Sequence, residues 1–165
     1  MVELETKRLR IFPITPEQSR LWLEDLPALE RQLGCPYRGE PLGEAELRAA
    51  RRQMDAARED LVRYPYRTAW FLVHREEKAV IGTAGFLGPP DRRGELEIRY
   101  AMGSAYRGRG YMTEAVEAIC RWALGQPGVR HITAETDLMG RASQRVLEHL
   151  GFQKYREEET LWWRL

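Results

Sequence analysis

Between Tyr106 and Ala115 the chain reads Tyr106-Arg107-Gly108-Arg109-Gly110-Tyr111-Met112-Thr113-Glu114-Ala115, two arginines interleaved with two glycines directly ahead of an amphipathic segment. These residue types at this spacing suit the binding of a phosphorylated ligand. Glycines let a backbone approach an anion closely, the first N–H groups of a helix lack partners within it, and guanidiniums add charge and forked donors for phosphate oxygens. A P-loop is excluded, because no lysine and hydroxyl pair follows Gly110. A dinucleotide fingerprint is excluded too, since it needs a third glycine at the helix where Met112 and Thr113 stand, and an early parallel βαβ unit. From the glycines alone, a tight strand-to-helix turn with exposed arginines remains an equal reading.

The elements around this turn follow from periodicity and turn chemistry. Arg8 to Phe12 reads as a strand stopped by Pro13, and Thr15-Pro16-Glu17-Gln18 as a helix start with Thr15 as N-cap and Gln18 closing a capping box. Leu26 to Leu42 is interrupted by prolines and glycines, so short irregular helix or loop is expected. Gly43 to Leu61 carries Leu47, Ala50, Met54, Ala57 and Leu61 at helical spacing, a surface helix with one buried stripe. Ala69 to His74, Ala79 to Leu87 and Glu95 to Met102 are strands joined by short polar turns, an antiparallel meander. Met112, Ala115, Val116, Ile119, Trp122 and Ala123 form the inward stripe of the following helix, with Glu114, Glu117 and Arg121 on its polar face. His131 to Thr136 is then reached by a βαβ crossover and pairs in parallel. Ala142 to Leu150 is a further helix ended by Gly151, and Phe152 to Tyr155 with Thr160 to Leu165 makes a closing hairpin.

The 165 residues, 43% hydrophobic, suit one domain spanning residues 1–165. A net charge of +1, from 26 basic against 25 acidic residues, gives no global field to recruit nucleic acid or a membrane surface. Any anion site is therefore local. Cys35 and Cys120 are far apart and unaccompanied by metal-type histidine spacing, so free thiols in a cytoplasmic protein and no metal are expected. No apolar run approaches the ~20 residues of a membrane helix. His74, His131 and His149 read as surface or packing residues, Cys120 as inert packing, and of the adjacent Trp162 and Trp163 one is expected buried and the other facing a cleft or a partner.

The chain from Ile81 through Tyr155 resembles the GNAT superfamily of N-acetyltransferases, and within it the RimJ/RimL-type ribosomal-protein branch. The resemblance rests on Ile81-Gly82 with Gly85, on Glu97-Ile98-Arg99-Tyr100, on Arg107-Gly108-Arg109-Gly110-Tyr111 with Thr113-Glu114-Ala115, and on Ser143, Val146-Leu147-Glu148 and Leu150-Gly151-Phe152. Glu5-Thr6-Lys7-Arg8-Leu9-Arg10 is also similar to that branch, whereas Leu26 to Tyr66 matches weakly. The resemblance implies an α+β fold of acyl-CoA N-acyltransferase type, a mostly antiparallel, splayed mixed sheet flanked by helices. It implies acetyl-CoA as co-substrate, with the diphosphate on Arg107, Gly108, Arg109, Gly110, Tyr111 and Met112, and the pantetheine paired with the backbone of Tyr100, Ala101 and Met102. Met112 departs from the family pattern, which places a small residue there, and narrows the room beside the diphosphate.

Acyl transfer to an amine needs a held thioester, an N–H aimed at the developing oxyanion, and proton management. Glu97 matches a recurrent family glutamate and is the candidate base, acting through a water; the alternative is a solvated carboxylate or a partner of Arg99. Many superfamily members carry a tyrosine acid on the last helix, where this chain has Leu147. The RimJ/RimL branch instead places a serine near that helix start, and Ser143 matches it, its alternative being a helix cap. Gly140 stands where the branch usually has asparagine. The resulting expectation is acetyl transfer to a primary amine by direct attack in a ternary complex. The acceptor is a protein or peptide N-terminus or a small amine, with no nucleic-acid or membrane partner and a monomeric or homodimeric chain. The alternative is a non-catalytic CoA-binding sensor or interaction domain.

Overall fold

In the computed structural model, which describes residues 2–165, alternating apolar segments pair into one eight-stranded sheet. The strands are β1 (Leu4–Glu5), β2 (Leu9–Pro13), β3 (Ala69–His74), β4 (Ala79–Phe86), β5 (Glu95–Met102), β6 (His131–Asp137), β7 (Gln153–Glu157) and β8 (Thr160–Arg164). The helices are α1 (Pro16–Glu24), α2 (Leu26–Leu33), α3 (Glu44–Glu59), α4 (Tyr111–Leu124) and α5 (Arg141–His149). Sheet order is β1-β2-β3-β4-β5-β6-β8-β7, with β5–β6 parallel and every other neighbouring pair antiparallel. This is the expected mixed α+β architecture.

Helix α1 starts on the capping box read from the sequence, Thr15 accepting from the Gln18 N–H and Gln18 accepting from the Thr15 N–H. The stretch expected to be short irregular helix or loop holds the regular short helix α2, with mostly irregular chain after it. Asp25 caps it by accepting from the Ala28 N–H, Pro27 sits in its first turn, and Gly34 ends it. Helix α3 buries Met54 and Ala57, but Leu61 lies past its end and is exposed, which shortens the expected stripe. Strand β1 has no local signal in two residues and exists because β2 offers it an edge.

Two apolar clusters sandwich the sheet. Helices α1 and α2 cover one face through Ile14, Leu29, Phe71, Val73 and Val80. Helices α4 and α5 cover the other through Trp70, Ile81, Leu96, Ile98, Val116, Ile119 and Leu147. The closing hairpin places its second strand inward. Strand β8 buries Leu161 and Trp163, so it takes the position beside β6, while β7, exposed throughout, forms a charged edge.

What positions the site is the short contact between β5 and β6. Their parallel ladder pairs only Glu95, Leu96 and Glu97 with His131, Ile132 and Thr133. Beyond it β5 stays with β4 through Met102, while β6 stays with β8 through Asp137, so the sheet opens as a fork.

Candidate active site

Antiparallel pairing with β4 turns alternate backbone groups of β5 outward. The Gly103 N–H donates to the Ile81 carbonyl and the Leu87 N–H to the Glu97 carbonyl, so Tyr100 and Met102 direct their N–H groups into the fork. A cleft of about 880 Å³ lies there, bounded by the end of β5, the start of α4 and the first turns of α5. Of the donor-side residues expected from the sequence, all line this cleft except Arg109, whose guanidinium lies 5.9 Å from the Tyr106 ring centroid. Ser143 lines it as well.

The start of α4 carries the anion-binding features. Gly108 and Gly110 have φ of 73° and 81°, left-handed values that L side chains rarely adopt. A Cβ at Gly108 would meet nothing within 4 Å, so this glycine serves conformation and open approach instead of packing. The first bond of the helix is Glu114 N–H to the Gly110 carbonyl, and no side chain caps the turn. The N–H groups of Tyr111, Met112 and Thr113 are therefore without intrahelical partners. Met112 is buried in the core beneath α4, so its length is taken up there and the turn stays open. The residues present fit a diphosphate. Arg107 is not a free cation, because its Nε donates to the Met102 carbonyl at 3.2 Å and its guanidinium pairs with Glu40.

Residues far away in sequence brace the turn. Glu114, read from the sequence as part of the polar face of α4, accepts from the Arg8 N–H and Arg8 Nε, both at 2.9 Å, and from the Thr6 hydroxyl. Arg8 Nη1 also donates to the Arg109 carbonyl at 3.0 Å, and its guanidinium covers the Tyr111 ring at 4.1 Å. Behind Tyr111, its hydroxyl meets His74 Nε2 at 3.1 Å, and His74 Nδ1 accepts from the Glu77 N–H. None of these partners has a local sequence signal. Burial raises the Glu114 carboxyl, but the Thr6 and Arg8 hydrogen bonds outweigh it and hold it below its ordinary 4.5. Its stabilisation is therefore present above the unfolded value and lost as pH falls through the lower folded one. Glu114→Gln is expected to cost about 2 kcal/mol at neutral pH, a fall in Tm of about 4–8 °C, with the gap to the wild type closing in acid.

Glu97 lies elsewhere. Leu96 and Ile98 face the α4 core, and the intervening Glu97 faces the opposite side of the sheet. There it lines a smaller cavity of about 280 Å³ with Asp91, Glu95, Thr133, Tyr155 and Trp162. Its Oε2 is buried without a hydrogen-bond partner, 3.8 Å from Arg99 Nε. Burial pushes the carboxyl above its ordinary range, Arg99 opposes this, and Glu135 adds to it. Glu95 is tied to Arg164 at 3.0 Å. On the cleft side, Tyr100 extends from β5 to the first turn of α5, its hydroxyl 3.3 Å from the Ser143 carbonyl and 3.4 Å from Ser143 Oγ. Leu147 is fully buried. Trp163 is buried and Trp162 faces the smaller cavity, as the adjacent pair suggested. Cys35 and Cys120 are free and buried, the Cys120 thiol pushed up by burial to about 12. Among the described residues no group of three or more His, Cys, Asp or Glu is placed to hold a metal ion, and no helix is long and apolar enough to cross a membrane.

A forked mixed sheet with an open glycine turn at the fork defines an acyltransferase-type fold, and residues 8–153 match the acetyltransferase (GNAT) domain family. The chain belongs to that family. It is similar to the uncharacterized N-acetyltransferase YjdG of Bacillus subtilis strain 168, 38% identical over 84 residues that make up 51% of this chain and 50% of that protein. The match thus spans about half the length of the curated relatives. Among solved structures, a GNAT-family acetyltransferase from Bordetella pertussis superposes with a TM-score of 0.70 at 24% identity, covering 99% of each chain. RimL, a ribosomal-protein α-N acetyltransferase solved in complex with coenzyme A, superposes with a TM-score of 0.70 at 9% identity, covering 99% of this chain and 97% of its own. At these identities the likeness is one of fold.

Proposed function

We propose that this protein is an acetyl-CoA-dependent N-acetyltransferase of a single domain, of the RimJ/RimL type, working in the cytoplasm on a primary amine by direct attack in a ternary complex. The observation that carries the reading is the fork. It places free β5 backbone, the uncapped start of α4 and the first turn of α5 around one cleft large enough for an extended phosphorylated thioester. The Tyr111 to Thr113 N–H groups and Arg107 hold the diphosphate. The Tyr100 and Met102 N–H groups pair with the amide-bearing arm or face the developing oxyanion.

The acceptor approaches from the opposite face. There Glu97, Glu95, Asp91 and Glu135 gather beside Trp162 and Tyr155, Arg99, Arg156 and Arg164 offset part of their charge, and Glu97 Oε2 is left without a hydrogen-bond partner to meet a cationic amine. The amine must lose a proton to attack, which suits an α-amine of pKa ~8 better than a side-chain amine near ~10.4. Glu97, with its carboxyl raised toward the working pH, takes that proton through a water. A protein or peptide N-terminus and a small polyvalent amine both fit this charge.

Calorimetry with acetyl-CoA, followed by thiol release across a panel of N-terminal peptides and small amines, tests the reading. Binding with turnover on at least one amine is expected. Binding without turnover on any of them would instead favour a CoA-binding sensor. Arg107→Ala is expected to weaken acetyl-CoA about tenfold, equivalent to about 1.4 kcal/mol, and an unchanged dissociation constant would remove Arg107 from the diphosphate site.

A further inference from the structure

Three phenols line the cleft, and two of them are already committed. The Tyr111 hydroxyl meets His74 at 3.1 Å, and the Tyr106 hydroxyl donates to Glu77 at 3.0 Å while accepting from Arg38 at 2.9 Å. The third, Tyr100, stands at the fork. Among the described residues its hydroxyl hydrogen-bonds only to Ser143, at 3.3 and 3.4 Å, well beyond the ~2.7–2.8 Å usual for O–H···O bonds. Its proton is thus loosely held and can turn into the cleft, while Ser143 Oγ–H still points at the phenol oxygen. Burial raises the phenol further above 10.0, so it remains a donor throughout the pH range of an amine reaction.

Resting on the acetyl-transfer reading above, we infer that the Tyr100 hydroxyl donates a hydrogen bond to the sulfur that leaves when the acetyl group is transferred. The backbone N–H of the same residue points into the fork, so one residue faces both ends of the breaking bond. The amine nitrogen bonds to the carbonyl carbon, and its surplus proton passes to Glu97 through water. The C–S bond breaks with its electron pair on sulfur, giving a thiolate. Tyr100 keeps its own proton, because a phenol with a raised pKa is a weaker acid than a thiol near ~8.5. It stabilises the thiolate by hydrogen bonding, and solvent protonates the product thiol after release. Ser143 Oγ, 3.4 Å away, adds only a weak contact to the phenol oxygen.

A hydrogen bond to a charged atom of this kind corresponds to a roughly 10- to 100-fold effect on the rate. Tyr100→Phe is therefore expected to lower kcat by about that factor, with the KM for acetyl-CoA within about twofold. A second readout does not depend on turnover. The ultraviolet thiolate absorbance of coenzyme A bound to the wild-type protein should titrate below the ~8.5 of a free thiol, and Tyr100→Phe should move it back up by about one unit. Ser143→Ala should produce a smaller change in the same direction, with the double variant no worse than Tyr100→Phe alone. If Tyr100→Phe binds coenzyme A normally but leaves both the thiol titration and kcat unchanged, the inference is wrong and the acetyl-transfer reading stands. If Ser143→Ala carries the full loss and Tyr100→Phe none, the serine is the donor and the inference is overturned. A wild-type protein that fails to bind coenzyme A overturns both.

Discussion

Glu97→Gln is expected to lower kcat by about 100- to 10,000-fold, the range of general base catalysis, and to abolish the acidic limb of the pH–rate profile. The residue sits where the β5–β6 ladder ends, on the face away from the α4 cleft, where under the proposed function an acceptor would not compete for the donor's space. Its Oε2 is buried and unpartnered, and burial lifts its pKa, with Arg99 at 3.8 Å pulling the other way and Glu135 adding to the rise. A raised pKa means that the wild-type rate climbs with pH as Glu97 ionises, and the amide variant has nothing there to ionise. The same shift has a consequence for stability. A carboxyl whose folded pKa exceeds its unfolded value contributes stability at low pH that is lost as pH rises through the folded pKa. At neutral pH the ionised, orphaned oxygen is a cost. Glu97→Gln should therefore raise Tm near pH 7 while depressing activity, and show no such gain below the ordinary 4.5 of the carboxyl. A variant that keeps the wild-type acidic limb would show that another group accepts the proton.

Trp70→Ala is expected to produce the largest loss of stability, about 4 kcal/mol, read as a shift of the denaturation midpoint and a fall in Tm of about 10 °C. Trp70 is fully buried on β3, its ring centroid 4.9 Å from Trp122 of α4 and 6.3 Å from Phe86 of β4. Its Nε1 donates to the Pro65 carbonyl at 2.8 Å, fastening the 64–66 turn to the sheet. Removing the ring opens a cavity between sheet and helix and leaves that carbonyl without a partner. Because α4 begins at the glycine turn, acetyl-CoA affinity should fall with stability. Trp70→Phe keeps most of the volume and should cost markedly less. Equal losses for both substitutions would shift the weight from the cavity to the indole hydrogen bond.

Much of this architecture is legible along the chain because the forces that set it are local. Thr15 and Gln18 form a capping box within one helical turn, and the spacing of Met112, Ala115, Val116, Ile119 and Ala123 defines the buried side of α4. The parallel pairing of β5 with β6 follows from a helix that must carry the chain back to the same end of the sheet. The glycine turn is legible too, since glycine is the residue that readily tolerates the positive φ that Gly108 and Gly110 adopt. The α2 cap at Asp25 was obscured by the prolines and glycines that surround it, and the two-residue β1 is too short to carry any period.

The amino-acid order by itself determined the family, most of the elements and the glycine turn proposed to hold the donor, because periodicity, caps and glycine's conformational freedom act over a few residues. Only the tertiary structure decided which distant groups meet at that turn. Arg8 reaches Glu114 across 106 residues, Glu40 reaches Arg107 across 67, and Tyr100 reaches Ser143 across 43. It also decided that Glu97 faces a different cavity from Ser143, through the alternation of β5 and the face that α4 covers. Such pairings depend on strand order, register and helix placement, which arise from packing over the whole sheet and leave no mark at any one position.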